Sequence, residues 1–75
     1  MEPNYDAICS DHAATEPILK FFRYAHLPPH LADTSKEFAK LALHLESTVV
    51  RSAERTVALR KLLESKDAAV RAALP

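Results

Sequence analysis

Three aromatic side chains occupy four positions, Phe21, Phe22 and Tyr24, with Lys20 and Arg23 among them and His26 just beyond. Every nucleobase has a π-face, and a base stacked on one aromatic contributes about 1–3 kcal/mol. Cations interleaved with aromatics therefore have the make-up of a base-stacking platform, with Phe21 and Tyr24 as the stacking candidates. The same residues could instead plug the core of a helical protein. Pattern alone favours that second use, with Tyr24 the exception because its hydroxyl needs a polar partner.

Lys36 and Lys40 stand one helical turn apart, a spacing at which like charges repel mildly. Water makes that tolerable on a solvated face. With Ser35 and the positive end of a helix dipole, the pair would instead make a phosphate clamp. Arg60, Lys61, Lys66 and Arg71 supply the later positive charge. Lys66 falls at an apolar seam, between Leu59 and Val70. A lysine there ordinarily snorkels to solvent; otherwise it faces an anion or a partner carboxylate.

Catalytic and metal chemistry find no comparable pattern. No serine–histidine–carboxylate spacing is legible. His12, His26, His30 and His44 show no Cys-x-x-Cys or His-Glu-x-x-His arrangement, and His26 and His30 flank Pro28-Pro29. The chain has no glycine, which excludes phosphate loops of the Walker or dinucleotide type, since these need glycine for close backbone approach. A phosphate would have to be held by side chains or helix N-termini. The expectation is a protein without catalytic residues, cofactor or metal.

The elements that must position these residues read as all-α. Residues 1–14 are weakly patterned and predict an irregular lead-in. Thr15-Glu16-Pro17 starts a short helix over 16–26, stopped by Pro28-Pro29. Thr34-Ser35-Lys36-Glu37 is a capping-box pattern opening a helix over 34–48, whose apolar row is Phe38, Leu41, Leu45 and Thr48 or Val49. Leu31 can extend that row. The β-branched and hydroxyl residues at 47–52 weaken helix propensity, and Ser52 can cap a further helix over 53–74 with Leu59, Leu63 and Val70 on its apolar side. A break near 48–52 folds the two long helices into an antiparallel hairpin; no break gives one rod of about 40 residues, roughly 60 Å long. The weak patch and new cap favour the hairpin.

Seventy-five residues make a single domain, and one this small often draws stability from disulfides, metal or self-association. Cys9 is the only cysteine, which precludes an intrachain disulfide and fits a reducing compartment. The second long helix is apolar over more than one stripe, so a homo-oligomer, from dimer to hexamer, is expected. Ten basic residues balance ten acidic ones, against nucleic-acid duplex binding, which needs a net positive footprint. No apolar run is long enough for a membrane span, and Met1-Glu2-Pro3-Asn4 lacks a signal pattern. A cytoplasmic location in the host cell is expected.

The stretches Phe21-Phe22-Arg23-Tyr24-Ala25-His26-Leu27-Pro28-Pro29-His30-Leu31, Ser35-Lys36-Glu37-Phe38 and Arg55 to Arg71 resemble small phage and prophage proteins. These in turn are similar to the helical-hairpin domain shared by the type 2 anti-CBASS protein and the first Thoeris anti-defence protein of phages. The resemblance spans residues 21–74. It implies a phage immune-evasion sponge that sequesters cyclic nucleotide signals without cleaving them. The ligands would be the cyclic di- and trinucleotides of CBASS or, alternatively, the cyclic ADP-ribose variants of Thoeris, bound between protomers of a multimer. By matched position it implies stacking by Phe21 and Tyr24, and phosphate or base-edge contacts from Ser35, Lys36 and Lys40 on one helix and from Arg60 and Lys66 on the next. A reading from another class is a helical module that docks on a host or phage protein.

Overall fold

A computed structural model describes residues 1–75. In chain order it contains α1 (Tyr5–His12), a 3-10 helix (Pro17–Phe22), α2 (Pro29–Thr48) and α3 (Ala53–Ala72), with no strand. The chain is thus all-helical, and no helix is long and apolar enough to cross a membrane.

The lead-in is helical in part. Within residues 1–14, expected to be irregular, α1 starts at an Asn4 cap whose Oδ1 accepts from the Ala7 amide at 3.1 Å. Asp6 in the first turn complements the helix dipole. Eight residues are too few for an independent helix. Tertiary contacts hold this one, through Asp6 and Cys9, which are buried three residues apart. So short a buried stripe leaves little periodicity to read.

Pro17 does open the next element, but as a 3-10 helix that ends at Phe22 rather than at residue 26. Arg23 leaves it in an extended conformation, φ −65° and ψ 146°. The cause is Asp6. Its Oδ1 accepts from the amides of Tyr24 at 2.7 Å and Ala25 at 2.9 Å. In a continued α-helix those two donors would go to the carbonyls of Lys20 and Phe21.

α2 begins at Pro29, five residues ahead of the expected start at 34. A proline at the first helical position has no amide to leave unpaired and a φ already suited to the helix. The Thr34–Glu37 pattern is therefore not used as a cap; Thr34 lies inside the helix, its Oγ1 donating to the His30 carbonyl at 3.4 Å. Starting upstream buries Leu31 in line with Ser35, Ala39, Ala42 and Leu43. That buried face is displaced from the expected row: Leu41 is 46% exposed, and Phe38 and Leu45 are only partly buried. Cys9, Leu19 and Phe22 bring the bulk to this side of the core, so α2 contributes mainly small residues there.

The single-rod alternative fails at Val49, which turns to extended backbone. Ser52 then caps α3, its Oγ accepting from the Arg55 amide at 3.1 Å. The connection holds no proline, glycine or asparagine, and Arg55 supplies the missing stop. Its nearly buried guanidinium donates to the carbonyls of Glu46 (3.1 Å) and Val49 (3.0 Å), and to Glu16 Oε1 (3.3 Å) at the start of the 3-10 helix. Carbonyls left without helical partners are thereby satisfied and tied to a distant segment. At the other end of α3, residues 66–71 lie beside residues 20–27.

Leu59 is fully buried in the core, with Leu62 and Leu63 packed against it in part. The 3-10 helix thus covers part of the α3 apolar surface that was expected to meet a partner, while α1 packs on α2 and on the 3-10 helix. α3 runs to Ala72, two residues short of the expected end at 74.

Candidate functional site

In a 3-10 helix, residues three apart share one face. Leu19 and Phe22 take the inner face and are fully buried, which turns Phe21 outward, 53% exposed. Phe21 borders a basin of about 360 Å³ between the 3-10 helix, the segment after it and the second half of α3. Lys20, Arg23, His26 and Leu27 line one side, and Lys66, Asp67, Val70 and Arg71 the other. Four cations thus face one carboxylate. Lys20 Nζ lies 5.0 Å from the Phe21 ring centroid, within cation–π reach.

Two of the four cations are anchored by a carboxylate. Arg23 is held by Asp6, whose Oδ2 accepts from Nη2 at 2.9 Å and Nε at 3.2 Å. Burial pulls the Asp6 carboxyl upward. The hydrogen bonds from Arg23, Ala25 and Tyr24, with the guanidinium charge, outweigh that and hold its pKa below the usual carboxylate range. Lys66 keeps its stem against the protein, 13% exposed, and its Nζ reaches Asp67 Oδ1 at 3.1 Å. Asp67 and Arg71 stand one turn apart but form no ion pair; neither Arg71 nor Lys20 has a carboxylate within 4.0 Å. Two positive groups at the basin are therefore uncommitted.

Of the residues singled out from sequence, Phe21 and Lys66 meet here. The others do not. Tyr24 is half-buried, and its hydroxyl accepts from the Asp6 amide at 3.2 Å, so its ring packs on the core. Ser35 is fully buried and its Oγ has no hydrogen-bond partner. It cannot reach a surface ligand. Lys36 Nζ pairs with Glu2 Oε2 at 2.8 Å; that hydrogen bond lowers the Glu2 pKa and raises that of Lys36. Lys40 sits 3.4 Å from Glu37 and 5.8 Å from the Tyr5 ring centroid, bordering a separate groove of about 600 Å³ between α1 and α2. Arg60 is exposed on α3 and is not among the basin residues.

Lys20, Arg23, His26, Asp67 and Arg71 are the polar basin residues that the sequence did not single out as ligands. A signal existed. Lys66, Asp67, Val70 and Arg71 fall at i, i+1, i+4 and i+5, one broad helical face. Reading the charged residues by face rather than one by one would have joined Arg71 to Lys66. No three His, Cys, Asp or Glu side chains cluster so as to hold a metal ion. Comparison with protein-family models, with characterised proteins and with solved structures gives no match for this chain.

Proposed function

We propose that this chain is a non-catalytic sponge that binds and sequesters cyclic nucleotide signals, the cyclic di- and trinucleotides of CBASS immunity, in the cytoplasm of a phage-infected host. The observation that carries this reading is the outward ring of Phe21 in a basin with four cations and one carboxylate. A cyclic dinucleotide has two flat bases and two negative charges. A trap that does not cleave needs an aromatic face, a few cations and enclosure, and neither metal nor general base.

The basin is near the lower end of small-molecule sites in volume, suited to one nucleotide unit. In the proposed assembly α2 and α3 form an antiparallel hairpin, and a second copy closes over the open side. A two-fold axis would present two identical basins to the two halves of the ligand. The resemblance of residues 21–74 to small phage and prophage proteins, which are in turn similar to the phage sponge families, points the same way.

Isothermal titration of the full chain against cyclic di- and trinucleotides and cyclic ADP-ribose isomers tests this. The expected result is binding, with intact ligand recovered after heat denaturation. Turnover, or no heat with any member, overturns it; binding of cyclic ADP-ribose isomers alone moves the assignment to Thoeris signals. The groove between α1 and α2, where Leu41 stands exposed beside Ile8, favours the second reading, a protein-docking module. In that case Leu41→Glu would abolish function while Phe21→Ala would not.

A further inference from the structure

A phosphate trap has no use for a carboxylate, yet Asp67 lines the basin with its side chain 47% exposed. It repels a phosphate and lowers the net charge that Lys20, Arg23, Lys66 and Arg71 provide. Its own geometry is constrained. Lys66 engages Oδ1 at 3.1 Å, and no other ion pair or hydrogen bond within the chain takes up Oδ2. An ionised carboxylate offers about four lone-pair sites and no donor, so beside its Lys66 contact this one can still accept from N–H groups of a ligand in the basin. Arg71, one turn further on, does not quench it within ion-pair distance.

The groups that match such an acceptor are paired N–H donors. Among the common nucleobases, guanine alone presents two adjacent donors, N1–H and N2–H, on its Watson–Crick edge, at a spacing that meets both oxygens of a carboxylate. Adenine sets its N6 amino group beside the N1 lone pair, and cytosine sets N4 beside the N3 lone pair; each would aim a lone pair at Asp67. Uracil has one donor between two carbonyls. Resting on the nucleotide-binding reading above, we infer that the basin selects guanine: Phe21 stacks on the base while Asp67 accepts from N1–H and N2–H. Lys66 orients the carboxylate, and Arg71 and Lys20 remain for the phosphates.

The test is titration of the full chain and its Asp67→Ala and Asp67→Asn variants with cyclic di-GMP, cyclic di-AMP and the cyclic di-inosine analogue, which lacks the N2 amino group. Hydrogen bonds to a charged acceptor set the scale, about 10- to 100-fold in affinity. Cyclic di-GMP is expected to bind tighter than cyclic di-AMP by that factor, with the inosine analogue between them. Asp67→Ala should remove the preference by weakening cyclic di-GMP while leaving cyclic di-AMP unchanged or tighter, since a negative charge has gone. Circular dichroism should show both variants folded, because the side chain is half exposed. Equal affinities in the parent chain, a preference for adenine, or loss of both ligands to the same extent in Asp67→Ala would overturn guanine selection and leave nucleotide binding standing. Binding of none of the three, with binding of no other panel member, would remove both.

Discussion

The Asp6 carboxylate lies 2.7 Å from the backbone nitrogen of Tyr24, eighteen residues along the chain. One oxygen takes the amides of Tyr24 and Ala25; the other takes the Arg23 guanidinium. In return the Tyr24 hydroxyl accepts from the Asp6 amide. α1 is thereby joined to the segment that carries the basin, and Arg23 is aimed by a residue outside it.

This relationship has a pH signature. The folded Asp6 pKa is depressed below its ordinary 3.8, so the native state favours the ionised form more than the unfolded chain does. The resulting stability is present in full above the unfolded value and is lost as pH falls through the lower folded value. Urea unfolding between pH 7 and pH 2 is expected to show this loss in the parent chain. Asp6→Asn should lose about 2–4 kcal/mol at pH 7, the scale of breaking a buried charged hydrogen-bond set, and its remaining stability should vary less below pH 4. A variant as stable as the parent at neutral pH would show the carboxylate to be dispensable.

Ser35 leads to the opposite expectation. Its Oγ is buried without a partner, and an unsatisfied buried hydroxyl costs about 1–3 kcal/mol. Ser35→Ala removes the hydroxyl and improves helix propensity. Thermal unfolding should show a variant equal to the parent or stabilised by up to about 1 kcal/mol, with ligand affinity unchanged. A marked loss of either would mean that the hydroxyl has a partner or meets the ligand.

Cys9 should be silent until the chain opens. Burial, then the nearby charges of Asp6 and Glu46, push its thiol pKa up to about 11, and its side chain is fully enclosed. Thiolate is the reactive species. Reaction with a disulfide reagent at pH 8 is expected to be slow in the native protein and complete within the mixing time in denaturant. Fast labelling of the native chain would show α1 detaching readily from the core.

Much of the secondary structure was legible because its causes are local. Ser52 announces α3, and Pro17 marks the 3-10 start. Where the sequence misled, a distant residue decided. The 3-10 helix stops at Phe22 because Asp6 captures two amides, and α2 starts early because burying Leu31 outweighs the Thr34 cap. The site divides the same way. Phe21 and Lys66 are visible as chemistry out of place, an aromatic beside cations and a lysine on an apolar seam. Arg23 and Arg71 look like ordinary surface charge until residues 20–27 and 66–71 are brought side by side.

The two aromatics that look equivalent in sequence should separate on substitution. Phe21 is exposed at the basin, with Lys20 Nζ 5.0 Å from its ring centroid. Phe21→Ala removes a stacking face and little packing, so it should weaken nucleotide binding by about 1–3 kcal/mol with the melting temperature nearly unchanged. Tyr24 packs on the core, and its hydroxyl meets the Asp6 amide. Tyr24→Ala leaves a cavity and an unpaired donor, and should cost about 2–4 kcal/mol of stability, with binding lost only as the fold is lost. Tyr24→Phe separates the two contributions: it keeps the packing and removes the acceptor, so its cost should be nearer about 1 kcal/mol. Calorimetric melting and ligand titration on the three variants measure both quantities. The reverse result, a stable Tyr24→Ala that no longer binds beside a Phe21→Ala that still does, would move the stacking face from the basin to the other side of residues 23–27.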